Sequence, residues 1–264
     1  MYGNANASEY WALHGRLAEL RAGDLAARVD ISHPELGLHD LQLSKQKLAD
    51  RLLCVFQQTE ASEHEAPKRR ADLTWPLPIA DAYVRGGDLV TSYEPTDVWP
   101  YMAQIYWCAD KAGSVDGLIG SLSLLVSVQT HLLDTCPRFG VGSHLACSET
   151  VQVTAGEGKR LQAQPLTSNG SVPKSAGPCC IVRRLADLPI SYAEIMPASD
   201  FRNVTVWRDD AGCYVEWELF ADFLEKGVIR RARLQSAFLP RENDLQLAAD
   251  CCEALEQCRL PLTT

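Results

Sequence analysis

The sequence predicts an α+β protein that consists mainly of antiparallel β-sheet, with N- and C-terminal helices packed on the sheets. Three observations lead to this fold class. Several segments alternate apolar and polar residues, both ends of the chain show the spacing of amphipathic helices, and one set of landmarks recurs along the sequence. The chain has 264 residues, 46% of them hydrophobic, which is enough to bury a substantial core.

The recurring landmarks favour two similar β-rich halves. Each copy has a Leu-Pro-Ile triplet, then an aspartate, then a tryptophan, at a nearly constant offset between copies; the tryptophans are Trp107 and Trp217. On this interpretation residues 1–160 hold the N-terminal helix and the first half, with its core at 75–133, and residues 179–264 hold the second half and the C-terminal helix. The Pro-, Ser- and Gly-rich segment 161–178 is then a linker or long loop. The alternative is one continuous antiparallel domain.

The N-terminal segment is predicted to begin with a helix over residues 8–22 that ends at Gly23. Alternation over 25–31 predicts a strand, and residues 45–57 fit either a helix or a strand. Residues 58–72 are polar and are expected to form a mobile loop or linker. The apolar stripe of the predicted helix consists of Trp11, Leu13, Leu17 and Leu20.

The remaining segments predict strands and one further helix. Residues 213–221 and 228–239 are predicted to form a hairpin in which Glu218 faces Arg231, because that register puts opposite charges on the wet face. An apolar stripe over 242–258 predicts the C-terminal helix. Strands are predicted at 88–93, 102–108, 122–130, 149–154, 180–184, 190–195 and 203–208, and the strand at 122–130 has one mostly polar face.

Composition narrows the classes of partner. The net charge is −9 and the sequence contains no extended basic run, so nucleic acid is not an expected partner. No apolar run reaches about 18 residues, so no membrane span is expected. The first residues lack a basic segment followed by an apolar one, which predicts a cytoplasmic protein without a signal peptide. The ten cysteines form no CxxC motif, so buried or inert thiols are expected, with no metal and no cofactor.

The richest candidate site is the aromatic and acidic stretch 93–107, in which residues 93–101 are followed by Gln104, Tyr106 and Trp107. Aromatic rings stack on the apolar faces of sugars, and neighbouring carboxylates accept hydrogen bonds from sugar hydroxyls. A second group, Asp81 and Arg85, flanks the Gly86-Gly87 turn. The alternative is that Trp99 belongs to the core. The candidate ligand-binding residues are Tyr93, Glu94, Asp97, Trp99, Tyr101, Asp81 and Arg85.

The leading functional prediction is a β-rich binding or interaction protein without a recognisable catalytic motif. Its ligand would be a glycan or another small molecule, or its partner another protein. The alternative is a carbohydrate-active or other hydrolytic enzyme that uses carboxylates near residues 81–97. A third interpretation is a subunit that joins its partner through an exposed sheet edge or an apolar patch. The absence of a catalytic signature favours a protein that is not an enzyme.

Overall fold

Most of the described part of the chain forms antiparallel β-sheet. Within the described residues there are nineteen strands in three sheets and one α-helix. The predicted predominance of antiparallel sheet is therefore confirmed. The computed structural model describes residues 8–48, 51–58, 78–97, 99–109, 115–155, 161–172, 174, 177–210, 212–220 and 222–258.

The N-terminal sheet is a five-stranded meander in which each strand pairs with the next along the chain. The helix predicted over 8–22 is wrong. The chain reverses at Gly15, whose φ is 63°, and Trp11 and Leu13 before the turn and Ala18 and Leu20 after it are buried with a period of two. The strands of this sheet are β1 (Trp11–His14), β2 (Leu17–Ala22), β3 (Leu25–Asp30), β4 (His39–Leu43) and β5 (Gln46–Lys47).

The largest sheet has nine strands in the order β13-β12-β15-β16-β19-β10-β9-β8-β7. The predicted long strand at 122–130 is confirmed as β10, in the interior of this sheet. The strands are β7 (Ile79–Arg85), β8 (Asp88–Tyr93), β9 (Tyr101–Cys108), β10 (Gly120–Thr130), β12 (Cys147–Ala155), β13 (Leu161–Pro165), β15 (Cys179–Leu185), β16 (Ile190–Met196) and β19 (Ile229–Pro240).

A third sheet, of five strands, lies against the inner face of the nine-stranded sheet. Its order is β14-β17-β18-β11-β6. The sequence of residues 45–57 fits either a helix or a strand. In the structure this segment contains two strands, β5 in the N-terminal sheet and β6 in the third sheet. The strands are β6 (Arg51–Gln57), β11 (Arg138–Leu145), β14 (Gly170–Ser171), β17 (Phe201–Asp209) and β18 (Gly212–Phe220).

One continuous core joins the three sheets. Trp107 from the nine-stranded sheet, Trp217 from the third sheet and Trp11 from the N-terminal sheet all belong to it and are almost completely buried. The N-terminal sheet is also anchored by hydrogen bonds. Trp11 Nε1 donates to the Gly87 carbonyl over 3.0 Å, and the Tyr93 hydroxyl donates to the Ile31 carbonyl over 2.7 Å.

The landmark segments occupy different structural settings. In the first copy β7, β8 and β9 are neighbours in the nine-stranded sheet, whereas in the second copy β16 belongs to that sheet and β17 and β18 to the third. The prediction that Trp107 and Trp217 occupy equivalent positions is therefore wrong. Both larger sheets combine strands from before and after residues 161–178, since β10 pairs with β19 and β11 with β18.

The predicted hairpin between residues 213–221 and 228–239 is also wrong. Strand β18 pairs with β11 and β17, and β19 pairs with β10 and β16. Glu218 pairs with Arg138 over 2.9 Å, and Arg231 lies opposite Ser127. The alternation of residues specified which face of each strand is buried, but several strands could satisfy the same pattern.

The predicted C-terminal helix is confirmed as α1 (Asp244–Gln257). It packs on the outer face of the nine-stranded sheet, over β12, β15, β16 and β19, and buries Ala248, Cys251, Cys252 and Leu255. The helix does not extend over the β7–β10 side of that face, which is the uncovered half of the sheet among the described residues. Among the described residues, no helix has the length and hydrophobicity that a membrane crossing requires.

Asp244 fixes the beginning of α1 to the sheet. Its buried carboxylate accepts hydrogen bonds from Arg184 Nε over 2.8 Å and from the Ser191 hydroxyl over 2.7 Å. Burial alone would raise the pKa of Asp244, but the hydrogen bonds from Arg184 and Ser191 outweigh it and lower this pKa. The interaction therefore stabilises the fold above the unfolded-state pKa, and this stabilisation is lost as the pH falls through the lower folded-state pKa.

We expect Asp244→Asn to lower the free energy of unfolding by about 1–3 kcal/mol at pH 7, because Arg184 loses a charged partner. The difference from the wild type should be smaller at pH 3, because the carboxylate of the unfolded wild-type chain is then largely protonated and the stabilisation by the folded-state pairing decreases. Urea denaturation at both pH values measures this. Glu242→Gln, at an exposed carboxylate near the same end of α1, is the control and should change stability by less than about 0.5 kcal/mol. An equal loss for Asp244→Asn at both pH values would contradict the charge argument.

Candidate binding cleft

The uncovered half of the nine-stranded sheet forms a cleft of about 680 Å³. Strands β7, β8, β9 and β10 and the beginning of β19 form its floor. Arg233 marks the border with the covered half, since its guanidinium donates to the Leu255 carbonyl at the end of α1 over 3.0 Å. The residues that define the chemistry of the cleft are Tyr83, Ser92, Gln104, Tyr106, Ser127 and Arg231.

A polar row crosses the floor of the cleft. The strand register aligns Ser92, Gln104, Ser127 and Arg231 on four neighbouring strands, so their side chains share one face. Gln104 Nε2 donates to the Ser92 hydroxyl over 3.0 Å, and the Tyr106 hydroxyl donates to Gln104 Oε1 over 3.1 Å. The amide of Gln104 is therefore held in one orientation before any ligand arrives.

An apolar row lies next to the polar one. Val90, Tyr106 and Leu125 form a small buried cluster, and the half-buried ring of Tyr83 packs against it. Burial raises the pKa of the Tyr106 hydroxyl, so this group remains a neutral hydrogen-bond donor at neutral pH. The row gives the cleft an apolar surface beside oriented polar groups, which is the usual composition of a small-molecule site.

The charged residues of the cleft are two arginines and one glutamate. Arg85 and Arg231 line it together with Glu94, and these are the charged groups among its described lining residues. Arg85 also lies 4.0 Å from Asp88. Asp88 thus balances the charge of Arg85, and the lining itself contributes two positive charges and one negative charge.

The structure separates the residues that the sequence grouped as one ligand site. Arg85 and Glu94 line the cleft, but Asp81 and Asp97 are exposed outside its lining. Only Glu94 of the three carboxylates therefore lies at the cleft, and the carboxylate pair considered in the sequence is not assembled there.

The aromatic candidates are buried in the core, and Tyr93 also lines the cleft. Trp99 packs edge-on against Tyr101, with ring centroids 4.6 Å apart, and against Phe139 at 4.7 Å. Tyr93 is 2% exposed and is held by its hydrogen bond to Ile31. Trp99 and Tyr101 thus pack in the core, whereas Tyr93 contributes both to the core and to the cleft lining, and ligand binding by these three residues stays a prediction.

A separate group of buried polar residues connects the nine-stranded sheet to the third sheet. Arg183 and Glu194 are both fully buried and form an ion pair of 2.9 Å. The Glu194 carboxylate also accepts hydrogen bonds from Trp217 Nε1 over 2.8 Å, from the Tyr192 hydroxyl over 3.1 Å and from the Ser143 hydroxyl. Burial alone would lower the pKa of Arg183, but the Glu194 charge raises it. This group has no access to solvent, so its role is structural.

The cysteines and histidines do not assemble a metal site among the described residues. Cys179 faces the core between the sheets and Cys180 faces α1, so this vicinal pair is divided between two sides of the sheet. Burial raises the pKa of the Cys179 thiol to about 12. His33 lies 2.9 Å from Glu35, and His39 lies 3.4 Å from Asp40, as two separate pairs.

Comparison with known proteins shows a shared fold. No family model matches the sequence, and no curated protein matches it. A candidate aldose 1-epimerase from Klebsiella pneumoniae superposes with a TM-score of 0.54 at 8% identity, over 92% of this chain and 85% of the other. At this identity the similarity shows the fold alone, which is a β-sandwich-like fold resembling that of the epimerase.

Two further structures are more distant. A GH36 alpha-galactosidase from Geobacillus stearothermophilus has a TM-score of 0.46 at 8% identity, over 87% of this chain and 41% of the other. A galactose mutarotase related enzyme from Lactobacillus acidophilus has a TM-score of 0.39 at 9% identity, over 83% of this chain and 96% of the other.

Proposed function

We propose that the protein binds a carbohydrate in the cleft on the uncovered half of the nine-stranded sheet. The observation that carries this proposal is the adjacency of an apolar ring surface and a row of oriented polar groups. Tyr83 supplies a half-buried ring for the apolar face of a sugar, and Gln104 supplies an amide already fixed by Ser92 and Tyr106. A volume of about 680 Å³ is within the range typical of small-molecule sites.

The shared fold is compatible with this ligand class. The neighbour with a TM-score of 0.54 is named for a reaction on an aldose, which is a sugar. A shared fold does not assign a function. The proposal therefore depends on the chemistry of the cleft, and the name of the neighbouring structure is only consistent with it.

The composition of the cleft favours binding over hydrolysis. Glycoside hydrolysis by the common mechanisms uses two carboxyl groups about 5–10 Å apart on either side of the bond that is cleaved. Glu94 is the one carboxylate among the described residues that line this cleft. The proposal is therefore a binding protein, and the carbohydrate-active enzyme remains the alternative.

We expect Gln104→Leu to weaken sugar binding at least about tenfold, because it removes the oriented amide while keeping a similar volume. Isothermal titration calorimetry against a panel of neutral and acidic mono- and disaccharides measures the dissociation constants. Gln246→Leu, the same substitution at an exposed position on α1, is the control and should bind like the wild type. Thermal unfolding of each variant shows whether the fold is intact.

A second variant tests the apolar row of the cleft separately from the polar row. Tyr83→Ala removes the proposed stacking ring from β7, and we expect a similar loss of affinity. Binding of no sugar by the wild-type protein, or unchanged binding by both cleft variants, would overturn the proposal.

A further inference from the structure

A second, smaller pocket lies beside the cleft, at the edge of β19 near the end of β16. Its volume is about 170 Å³, which suits a single charged group better than a whole sugar. Asp200 fixes one side of it, because its carboxylate accepts the backbone N–H of Arg233 over 3.0 Å. The charged residues that line the pocket are Lys174, Arg202, Arg230, Arg231, Asp200 and Asp222.

The lining of this pocket has a positive surplus. Four cationic side chains meet two carboxylates there, in a protein with a net charge of −9. Asp222 lies 3.5 Å from Arg230, and Asp200 is engaged by the Arg233 backbone and by the Ser199 hydroxyl over 2.7 Å. A concave site with an excess of one sign of charge attracts ions of the opposite sign.

Lys174 is held in place at the pocket. Its ammonium group donates to the Phe201 carbonyl over 2.5 Å and lies 4.7 Å from the centre of the Phe201 ring. An ammonium group has three N–H donors, and the carbonyl uses one of them. Together with guanidinium groups, such a donor forms charge-assisted hydrogen bonds with anionic oxygen atoms.

Arg231 connects the small pocket to the cleft. It lines both, and in the cleft it ends the polar row that includes Ser127 and Gln104. A ligand whose neutral part lies on that row can therefore place a charged substituent beside Arg231.

We infer that the small pocket binds the anionic group of an acidic carbohydrate whose sugar ring occupies the cleft. The recognised chemistry is an oxyanion, which a phosphate, a sulfate or a carboxylate substituent would supply. The inference rests on the proposed function for the sugar ring, whereas the pocket's affinity for an oxyanion rests on its own lining.

Calorimetry with matched ligands tests this inference. Glucose, glucose 6-phosphate, glucose 6-sulfate and glucuronate differ only in the anionic group, and inorganic phosphate and sulfate probe the pocket alone. We expect at least one acidic sugar to bind about tenfold or more tightly than glucose. This preference should decrease as sodium chloride is raised. The ligand that benefits most identifies the source of the oxyanion.

A double variant isolates the small pocket. Arg202→Gln with Arg230→Gln should abolish the preference for the acidic sugar while leaving glucose binding unchanged, because neither residue lines the cleft. The control is Arg16→Gln with Arg21→Gln, which removes the same charge from exposed positions in the N-terminal sheet and should retain the preference. Thermal unfolding of both proteins checks their folding.

The outcomes separate the inference from the proposed function. Equal affinity of glucose and all acidic sugars, or a preference that survives in the double variant, would overturn the inference and leave carbohydrate binding in place. Binding of phosphate or sulfate that the double variant loses, without any sugar binding, would support the oxyanion pocket. That result would also overturn the proposed function and the carbohydrate part of the inference.

Discussion

Replacing Glu194 with alanine is expected to lower the free energy of unfolding by about 3–5 kcal/mol, the usual cost of removing one partner from a buried ion pair. The variant leaves Arg183 as a charge without a counterion in a position that is fully buried. It also removes the acceptor of Trp217 Nε1 and of the Tyr192 hydroxyl. A typical domain is stable by only about 5–15 kcal/mol, so this single change should consume a large part of the total.

Urea denaturation at neutral pH measures the loss, and Glu218→Ala is a matched control. Glu218 lies on β18 and also forms an ion pair of 2.9 Å, with Arg138, but both side chains are partly exposed. Partly exposed pairs contribute about 0–1 kcal/mol, so the control should be destabilised far less. Similar losses for the two variants would show that burial of the Arg183–Glu194 pair does not set its energetic importance.

The Arg183–Glu194 ion pair also illustrates what could not be predicted from the sequence. The alternation of residues in β15 and β16 indicates which side chains share a face, and on that basis Arg183 and Glu194 each fall on an apolar inner face. A charged residue on such a face signals a buried partner, but the partner's identity depends on the pairing of β15 with β16 and on the sheet opposite. These are long-range relations that local periodicity does not encode.

The spacing of apolar residues was sufficient to predict an element whose structure depends mainly on its own sequence. The C-terminal helix and β10 follow from the spacing of their apolar residues. The prediction for the N-terminal segment failed because Trp11, Leu13, Leu17 and Leu20 approximate a helical period, whereas the residues that the two strands bury are Trp11 and Leu13, then Ala18 and Leu20. There the turn at Gly15, with its positive φ, determined the outcome.

The cleft was partly visible in the sequence. The alternating polar residues of β10, which include Ser123, Ser127 and Gln129, predict a wet face on an otherwise buried strand, and that face forms part of the cleft floor. Arg231 was assigned to Glu218 because charge complementarity fitted that register. The structure instead places Arg231 opposite Ser127, since β19 pairs with β10. Charge complementarity between two strands is therefore weak evidence that they are neighbours.

Replacing Gly37 is expected to destabilise the fold, because at this residue the backbone of the N-terminal segment lies against the backbone of β6. Its φ is 61°, and a Cβ atom at this position would lie 2.3 Å from the Leu52 carbonyl oxygen and 2.8 Å from the Cys54 nitrogen. These are backbone atoms, so a rotamer change cannot relieve the clash. The next residue, Leu38, exchanges backbone hydrogen bonds of 2.7 and 3.1 Å with Leu52, which holds the two segments together.

Gly37→Ala should therefore cost about 2–6 kcal/mol, because the φ of 61° and ψ of −152° at Gly37 form a backbone conformation that is essentially restricted to glycine, and because the added methyl group is overpacked. Gly23→Ala is a control without the close contact, because Gly23 also has a positive φ, 60°, but no atom within 4 Å of the added Cβ. This control should cost only about 1–2 kcal/mol. Urea denaturation of both variants gives the difference. Equal losses would mean that the chain around Leu52 yields to the new methyl group, and that the close contact at Gly37 does not constrain how β6 meets the N-terminal sheet.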